Sequence, residues 1–438
     1  MIDWEEITLG DAAEILSAKR VFARDYVDNG VPFWRGKEVV ELSAGRDVST
    51  ELFISEETYQ NLGKKAGFPS AGDILLTSVG TLGRVYRLTT KDRIYFKDGN
   101  LTWFRKFNER ICPQWLLYWL RSNAGQRALD SSKIGSTQQA LTIVNLKKIP
   151  FLCPPKAEQE KIAATLSALD DKIELNRRMN ETLEEMARAL FRDWFVDFGP
   201  TRRQMEGATD PAAIMGQAFP PEKATTLARL FPAKLEDDGL PEGWSNGEVS
   251  DLADLNPKSW SAKNHPQSVK YVDLSNTKWG RIEEVTPYEW SEAPSRARRI
   301  LEVGDSIVGT VRPGNGSYSL IGRAGLTGST GFAVIRPKNS KAIEFVYCAL
   351  TSPENIEKLA NLADGGAYPA INPKVVAATA IARTGTDLIE AFSNVTQCMF
   401  SKRHANDQEI QTLAEMRDLL LPKLMSGEIR LKDVEAVS

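Results

Sequence analysis

Two kinds of apolar pattern run along this chain, and each occurs twice. The first is a set of short runs rich in β-branched and aromatic residues and bounded by glycines. Asp73-Ile-Leu-Leu-Thr-Ser-Val and Leu101-Thr-Trp-Phe-Arg-Lys-Phe are followed much later by Ser306-Ile-Val-Gly-Thr-Val and Phe332-Ala-Val-Ile. Such runs predict strands, because branched and aromatic side chains pack well on a pleated surface. A denser apolar segment of helical spacing follows each set, around Gln114–Leu120 and Glu344–Leu350. Short strands mixed with helices predict a globular α+β domain in each half.

The second pattern is a long stripe. After Pro154-Pro155, the positions Ile162, Leu166, Leu169, Ile173, Asn176, Asn180, Leu183, Ala187, Leu190 and Trp194 alternate spacings of four and three without a break. That is the seam of a coiled coil with two polar positions in it. A helix from Lys156 to Val196 would run ~60 Å. A second stripe starts near Thr386-Asp387 and shows Phe392, Met399, Asn406, Ile410, Leu413, Leu420 and Leu424 before Gly427. Arg403 and Arg417 interrupt it, so it reads as the weaker seam.

The two halves align in order. Trp4, Leu9, Asp11, Ala13 and Ile15 match Trp244, Val249, Asp251, Ala253 and Leu255. Gly72-Asp73 matches Gly304-Asp305, and Leu183-Glu-Glu-Met186 matches Leu413-Ala-Glu-Met416. The offset drifts slowly, as expected of a duplication followed by small deletions. Asn176 and Asn406 take the same place in the two copies, and a buried Asn in a seam selects register at a cost in stability; the two are expected to meet near a pseudo-dyad. The predicted architecture is α+β: two globular recognition domains at 1–153 and 240–384, joined by two long helices at 154–198 and 385–438 that form an antiparallel coiled coil with internal pseudo-two-fold symmetry. Between the copies, 199–239 is rich in proline, glycine and charge and reads as a linker with one short helix at Ala224–Leu230.

Composition removes several classes of function. No stretch approaches 18 consecutive apolar residues, so a membrane-spanning helix is not expected. The acidic start lacks a signal peptide's basic and apolar regions. Four scattered cysteines (Cys112, Cys153, Cys348, Cys398) suggest reduced thiols in a cytoplasm. Only His265 and His404 exist, which leaves no histidine triad or multi-histidine metal site. Gly30–Lys37 spaces its glycines one residue too far for a phosphate loop. Asn256-Pro257-Lys258 and Asn372-Pro373-Lys374 lack the second proline and the aromatic residue of an adenine methyltransferase motif. No catalytic residue and no metal site are therefore expected.

Two different heads on paired helices suit a reader of two half-sites about a helical turn apart, ~34 Å. The net charge of −3 is uninformative, since nucleic-acid binding needs only a local basic face. In the first head, Arg84–Arg110 carries eight basic residues against three acidic; Arg84, Arg87, Lys91, Arg105 and Lys106 are its candidates for phosphate contact. The polar loops with Thr81, and with Ser136, Thr137, Gln138 and Gln139, are candidate base readers, because Gln can pair two-pronged with adenine and Arg with guanine. In the second head the counterparts are Arg312, Asn315, Tyr318 and Tyr368, with the cluster Arg296, Arg298 and Arg299. Lys278-Trp279-Gly280-Arg281 reads as a hairpin tip, and Arg35 and Lys37 are weaker candidates. An ordinary solvated strand face or connecting loop competes with each of these readings.

Pro154-Pro-Lys-Ala-Glu-Gln159-Glu-Lys-Ile162, Leu190-Phe191-Arg-Asp-Trp194-Phe195-Val-Asp-Phe198, Leu240-Pro-Glu-Gly-Trp244 and Leu420-Leu-Pro422-Lys-Leu424-Met-Ser-Gly427-Glu-Ile429 resemble the conserved regions of type I restriction-modification specificity (S) subunits. The resemblance covers nearly the whole chain and its order of parts. It implies a subunit that binds no cofactor itself, recognises a bipartite, asymmetric stretch of double-stranded DNA, and is gripped along its helices by two methyltransferase subunits. Those partners would supply S-adenosylmethionine-dependent adenine-N6 methylation, and restriction subunits can join them. A fused DNA-modifying enzyme, or a protein scaffold without DNA specificity, is the alternative.

Overall fold

The computed structural model describes residues 4–46, 48–135, 139–216, 218–363 and 369–430. The chain divides into two compact units, Met1–Arg177 with Gln408–Ser438, and Arg178–Asp407.

The first unit is built on a four-stranded antiparallel sheet, ordered Glu14–Leu16, Leu101–Arg105, Ile74–Thr77, Val85–Arg87. Helices Pro113–Arg121 and Asn123–Ser131 cover it. Pro113 suits the first helical turn, where an N–H would lack a partner anyway, and Ser122 caps the second helix through the Gly125 N–H. Ile15, Ile74, Leu76, Phe104, Trp115 and Leu116 form the core between. A second sheet, Tyr26–Val27, Phe53–Ile54, Val31–Trp34, Tyr95–Phe96, encloses an aromatic core of Phe33, Trp34, Tyr95, Phe96 and Trp103. Glu5–Thr8 pairs with Pro150–Cys153.

The second unit repeats this plan. Ala253–Leu255, Phe332–Pro337, Ser306–Gly309 and Tyr318–Leu320 take the same order and sense. Ser245–Glu248 pairs with Ala380–Arg383, and helices Ile343–Thr351 and Pro353–Ala363 follow the sheet. The parallel pairing of Val31–Trp34 with Tyr95–Phe96 has its counterpart in Ser268–Val272 with Leu326–Ser329. The duplication read from the sequence is thus a duplication of fold. The copies differ in their inserted elements: the first carries helices Gly36–Ser43 and Glu56–Ala66, where the second has a hairpin (Thr277–Lys278 and Arg281–Ile282) and strands Thr286–Glu289 and Ala297–Leu301.

Each long helix has 40 residues, Lys156–Phe195 and Thr386–Met425. Within the first unit Arg417 meets Asp170 at 2.8 Å and Asn176 donates to Glu409 at 2.9 Å. Within the second, Asn180 donates to Asp407 and Asn406 to Asn180, both at 2.8 Å, and Arg403 meets Glu184 at 3.3 Å. Numbers rise on one helix as they fall on the other, so the pairing is antiparallel. Of the seam residues, Ile162, Leu166, Ile173, Asn176 and Asn406 are buried; Leu169, Leu183, Leu190, Met399, Leu413 and Leu420 are half-buried.

Two expectations are corrected. Arg403 and Arg417 do not interrupt the second seam; they occupy it, each answered by a carboxylate of the other helix. Of the seam asparagines, Asn176 donates to Glu409 within the first unit and Asn406 to Asn180 within the second. Residues 199–239 are no open linker. Helices Gly199–Met205, Pro211–Ile214 and Pro221–Ala228, each with proline in its first turn, and the residues just after them deliver Ile214, Met215, Leu227 and Phe231 into the core around Trp194. At about 1.5–3 kcal/mol for each large apolar side chain buried, that anchorage outweighs the polar composition that suggested a loose connection.

His404, on the second long helix, packs its ring onto Gly322, where a side chain would collide with it. Burial, assisted by neighbouring Arg403, pushes its pKa down to about 4. A histidine held neutral when folded and protonated when unfolded costs stability as pH falls from 6.5 towards 4. The second unit should lose up to about 3 kcal/mol over that window, and His404→Gln should remove that share of the loss. Melting temperatures of both proteins at pH 7.5, 5.5 and 4.5 check this; parallel curves would refute it.

Candidate nucleic-acid interface

In each unit the middle strand of the main sheet ends in a loop, and a second loop arrives beside it. In the first unit the loop 78–84 follows Ile74–Thr77 and closes through the Thr77 N–H on the Arg84 carbonyl and the Gly83 N–H on the Thr77 carbonyl, both 2.9 Å. Gly80 and Gly83 have φ of 79° and 76°, the left-handed region that glycine enters without strain. Gln126, from the second covering helix, donates to the Gly83 carbonyl at 3.0 Å and fixes the loop from beneath. Val79 bridges to Ala140, and the Leu141 N–H donates to the Ser78 carbonyl at 3.0 Å. The two predicted base-reading loops of the first head are therefore neighbours, with Thr81, Arg84 and Gln139 exposed. Ser136, Thr137 and Gln138 lie outside the described residues.

The second unit uses the same joint. Val311 bridges to Ala370, the Arg312 N–H donates to the Pro369 carbonyl at 2.9 Å, and the Ile371 N–H to the Thr310 carbonyl at 2.9 Å. Arg312 and Asn315 are exposed on this loop, and Arg312 itself has φ 48°. Tyr368 lies outside the described residues. Two loops joined by the same bridge in both copies form a surface whose mounting is shared and whose side chains differ.

Other candidates are placed differently. Tyr318 is 2% exposed; its hydroxyl accepts from Arg188 at 2.8 Å, so it cannot reach a ligand as predicted. Arg105 is not a surface cation: it lies over Trp103, bonds the Ala66 carbonyl and pairs with Glu14 at 3.0 Å. Arg105, together with exposed Lys106 at 3.2 Å, holds the Glu14 carboxyl below its usual range. Arg87 is half-buried and Lys91 exposed. Arg93 and Arg110 are tied to Glu56 and Glu5, and Arg35 and Lys37 to Glu51.

In the second unit, Arg296 donates to the Tyr271 hydroxyl and pairs with Asp273 at 2.7 Å. Burial pushes the Asp273 carboxyl up, but bonds from Ser275, Tyr271 and Arg296 leave it below the ordinary value. Arg298 stacks over Trp290, which also faces His265 ring to ring at 4.3 Å. Arg299 reaches Ser259 at 3.2 Å, and burial lowers its pKa. Each arginine of the cluster thus has a partner within the fold, with the Arg296 side chain itself 60% exposed. Composition could not reveal this, because Tyr271, Asp273 and Ser259 lie far off in sequence.

Among the described residues no group of three or more His, Cys, Asp or Glu side chains could hold a metal ion. Near the far end of the first sheet a shallow cleft of about 470 Å³ is lined by Lys19, Lys65, Arg105 and Lys106. Sequence reasoning passed over Lys19 and Lys65, and also over Gln126, whose role depends on a carbonyl 43 residues away.

The family model for the type I restriction modification DNA specificity domain matches residues 1–185. The chain is 27% identical to the HindI specificity subunit of a type I restriction enzyme from Haemophilus influenzae, over 98% of this chain and 100% of that one. It is 24% identical to the MjaIX specificity subunit from Methanocaldococcus jannaschii, over 99% and 95%. The crystal structure of a type I restriction-modification system S subunit from M. genitalium superposes with a TM-score of 0.53 at 16% identity, covering 97% of this chain and 96% of that one, a likeness of fold.

Proposed function

We propose that the chain is a type I restriction-modification specificity subunit, as its relatives are, and that it reads a bipartite, asymmetric DNA target for a methyltransferase complex. One observation carries the asymmetry. Both units mount their paired loops on the same sheet through the same bridge, yet the residues displayed there and the inserted elements differ. Equivalent mounts with different side chains suit two different half-sites.

The chemistry belongs to partners in this reading. The chain contributes no catalytic residue and no cofactor site; S-adenosylmethionine is held by two methyltransferase subunits docked on the paired helices, and restriction subunits can add to them. The surface of the helices offers apolar contact, since Leu175, Met179, Met186, Met416 and Leu419 are 37–62% exposed. No described helix is long and apolar enough to cross a membrane.

Sequencing adenine methylation in the host genome, with the chain present and deleted, tests the proposal. A two-part motif present only with the chain is the expected result. Methylation of DNA by the purified chain alone would show an enzyme instead, and an unaltered methylome on deletion would sink the specificity reading.

A further inference from the structure

The hairpin of the second unit turns at Trp279-Gly280. Trp279 is 55% exposed and has φ 45°, a conformation that bulky side chains rarely adopt. Its surroundings over-determine that shape. The Trp279 N–H donates to the Gly316 carbonyl at 2.6 Å, and the Gly280 N–H to the Tyr318 carbonyl at 2.9 Å. The Gly280 carbonyl accepts from the buried Arg403 guanidinium, and Arg281 pairs with Glu181 at 3.3 Å. The indole lies over Gly316, where any side chain would collide with it, and meets the Tyr318 ring edge-on at 5.9 Å.

The fold therefore holds a strained backbone in place and leaves the largest apolar side chain in water. An indole usually buries most of its surface. This one stands on the flank of the loop that carries Arg312 and Asn315, both exposed. Arginine and asparagine can read guanine and adenine through hydrogen bonds, whereas the methyl group of thymine is read by apolar contact.

We propose that Trp279 is a specificity-determining residue of the second head, packing its indole against a thymine methyl in the major groove beside the bases met by Arg312 and Asn315. The inference rests on the reading of this chain as a DNA specificity subunit and adds to it a residue and a base.

The test uses the host with its own chain deleted, complemented by wild type, Trp279→Ala or Trp279→Phe, with genome-wide sequencing of adenine methylation and melting of each purified chain. With Trp279→Ala, one half of the motif should be unchanged, while the other should lose about ten-fold of its preference at one T·A pair. Trp279→Phe should keep most of that preference. An Ala variant that methylates the wild-type motif overturns the proposal, as does preference lost at a G·C pair. Complete loss of methylation supports it only if Trp279→Phe restores the motif and the Ala variant melts like wild type; otherwise the ring is a structural brace and the proposal fails. A wild-type chain that specifies no motif at all would instead refute the function on which the inference rests.

Discussion

Replacing Glu184 by leucine should destabilise the second unit by about 3–5 kcal/mol, the usual cost of removing one partner from a buried ion pair. Glu184 is 6% and Arg403 2% exposed. The Glu184 carboxylate faces Arg403 at 3.3 Å and accepts from the Tyr347 hydroxyl at 2.6 Å; Arg188 bonds it too and extends to the Tyr318 hydroxyl. Without Glu184, the Arg403 charge loses its closest carboxylate and keeps the Gly280 carbonyl, the Tyr347 hydroxyl at 3.5 Å and ring, and the field of Asp407 one turn along its helix. Charge left behind in that way is costly because water cannot replace the lost partner. Arg188, with a side chain 21% exposed, can still reach solvent. The double variant Glu184→Leu/Arg403→Met should recover most of the loss, since apolar residues of similar volume often replace a buried pair at little cost. A chain of this size is not expected to unfold in one step. Hydrogen exchange at amides 180–187 and 400–406, with the melting temperature, is the appropriate measurement. A single variant that costs less than about 1 kcal/mol would mean the network does not hold the helices together.

That network also shows where reading the sequence stops. The heptad stripe was legible because its signal is local: each residue predicts the next by spacing alone. Arg403 and Arg417 broke the signal, since hydrophobicity assigns a cation to the outside. Their carboxylate partners, Glu184 and Asp170, lie more than 200 residues earlier. For the same reason spacing alone did not reveal that Asn406 donates to Asn180 within the second unit, since the two lie on helices far apart in sequence.

The repeated sheet and both long helices were recoverable because patterning fixes them, and the glycines at 80 and 83 marked a loop that does need left-handed backbone. The recognition surface was legible as loops and not as side chains. Tyr318 and Arg105 carry the right chemistry for DNA, yet burial and a neighbouring carboxylate use it inside the fold. Residues 199–239 failed as a linker for a related reason. Proline and charge set the average composition, while the buried side chains of Ile214, Met215, Leu227 and Phe231 set the structure.

Exchanging residues 5–153 for the corresponding head of another family member should replace one half of the methylated motif entirely and leave the other half intact. The junction explains why such an exchange can fold. Gln159, fully buried in the first turns of the long helix, accepts from the Cys112 N–H at 2.8 Å and donates to the Arg110 and Pro154 carbonyls at 2.9 and 2.8 Å. Those partners are backbone atoms; the Cys153 sulfur, at 3.3 Å, also accepts from it. A head of different sequence but the same fold presents the same N–H and carbonyl groups, so the helix can grip it without matching its side chains. Gln159→Leu strips this joint: a buried N–H and carbonyl groups lose their partner at about 1–3 kcal/mol each. That variant should lower protection from hydrogen exchange at residues 108–116 and scramble recognition of the half-site read by the first head, leaving the other half defined. The two changes therefore separate identity from mounting. The exchange alters which bases are chosen, whereas the point change alters how firmly the chooser is held. If the exchange altered both halves of the motif, or if Gln159→Leu left exchange protection untouched, a joint built on backbone groups would not be what makes the heads interchangeable.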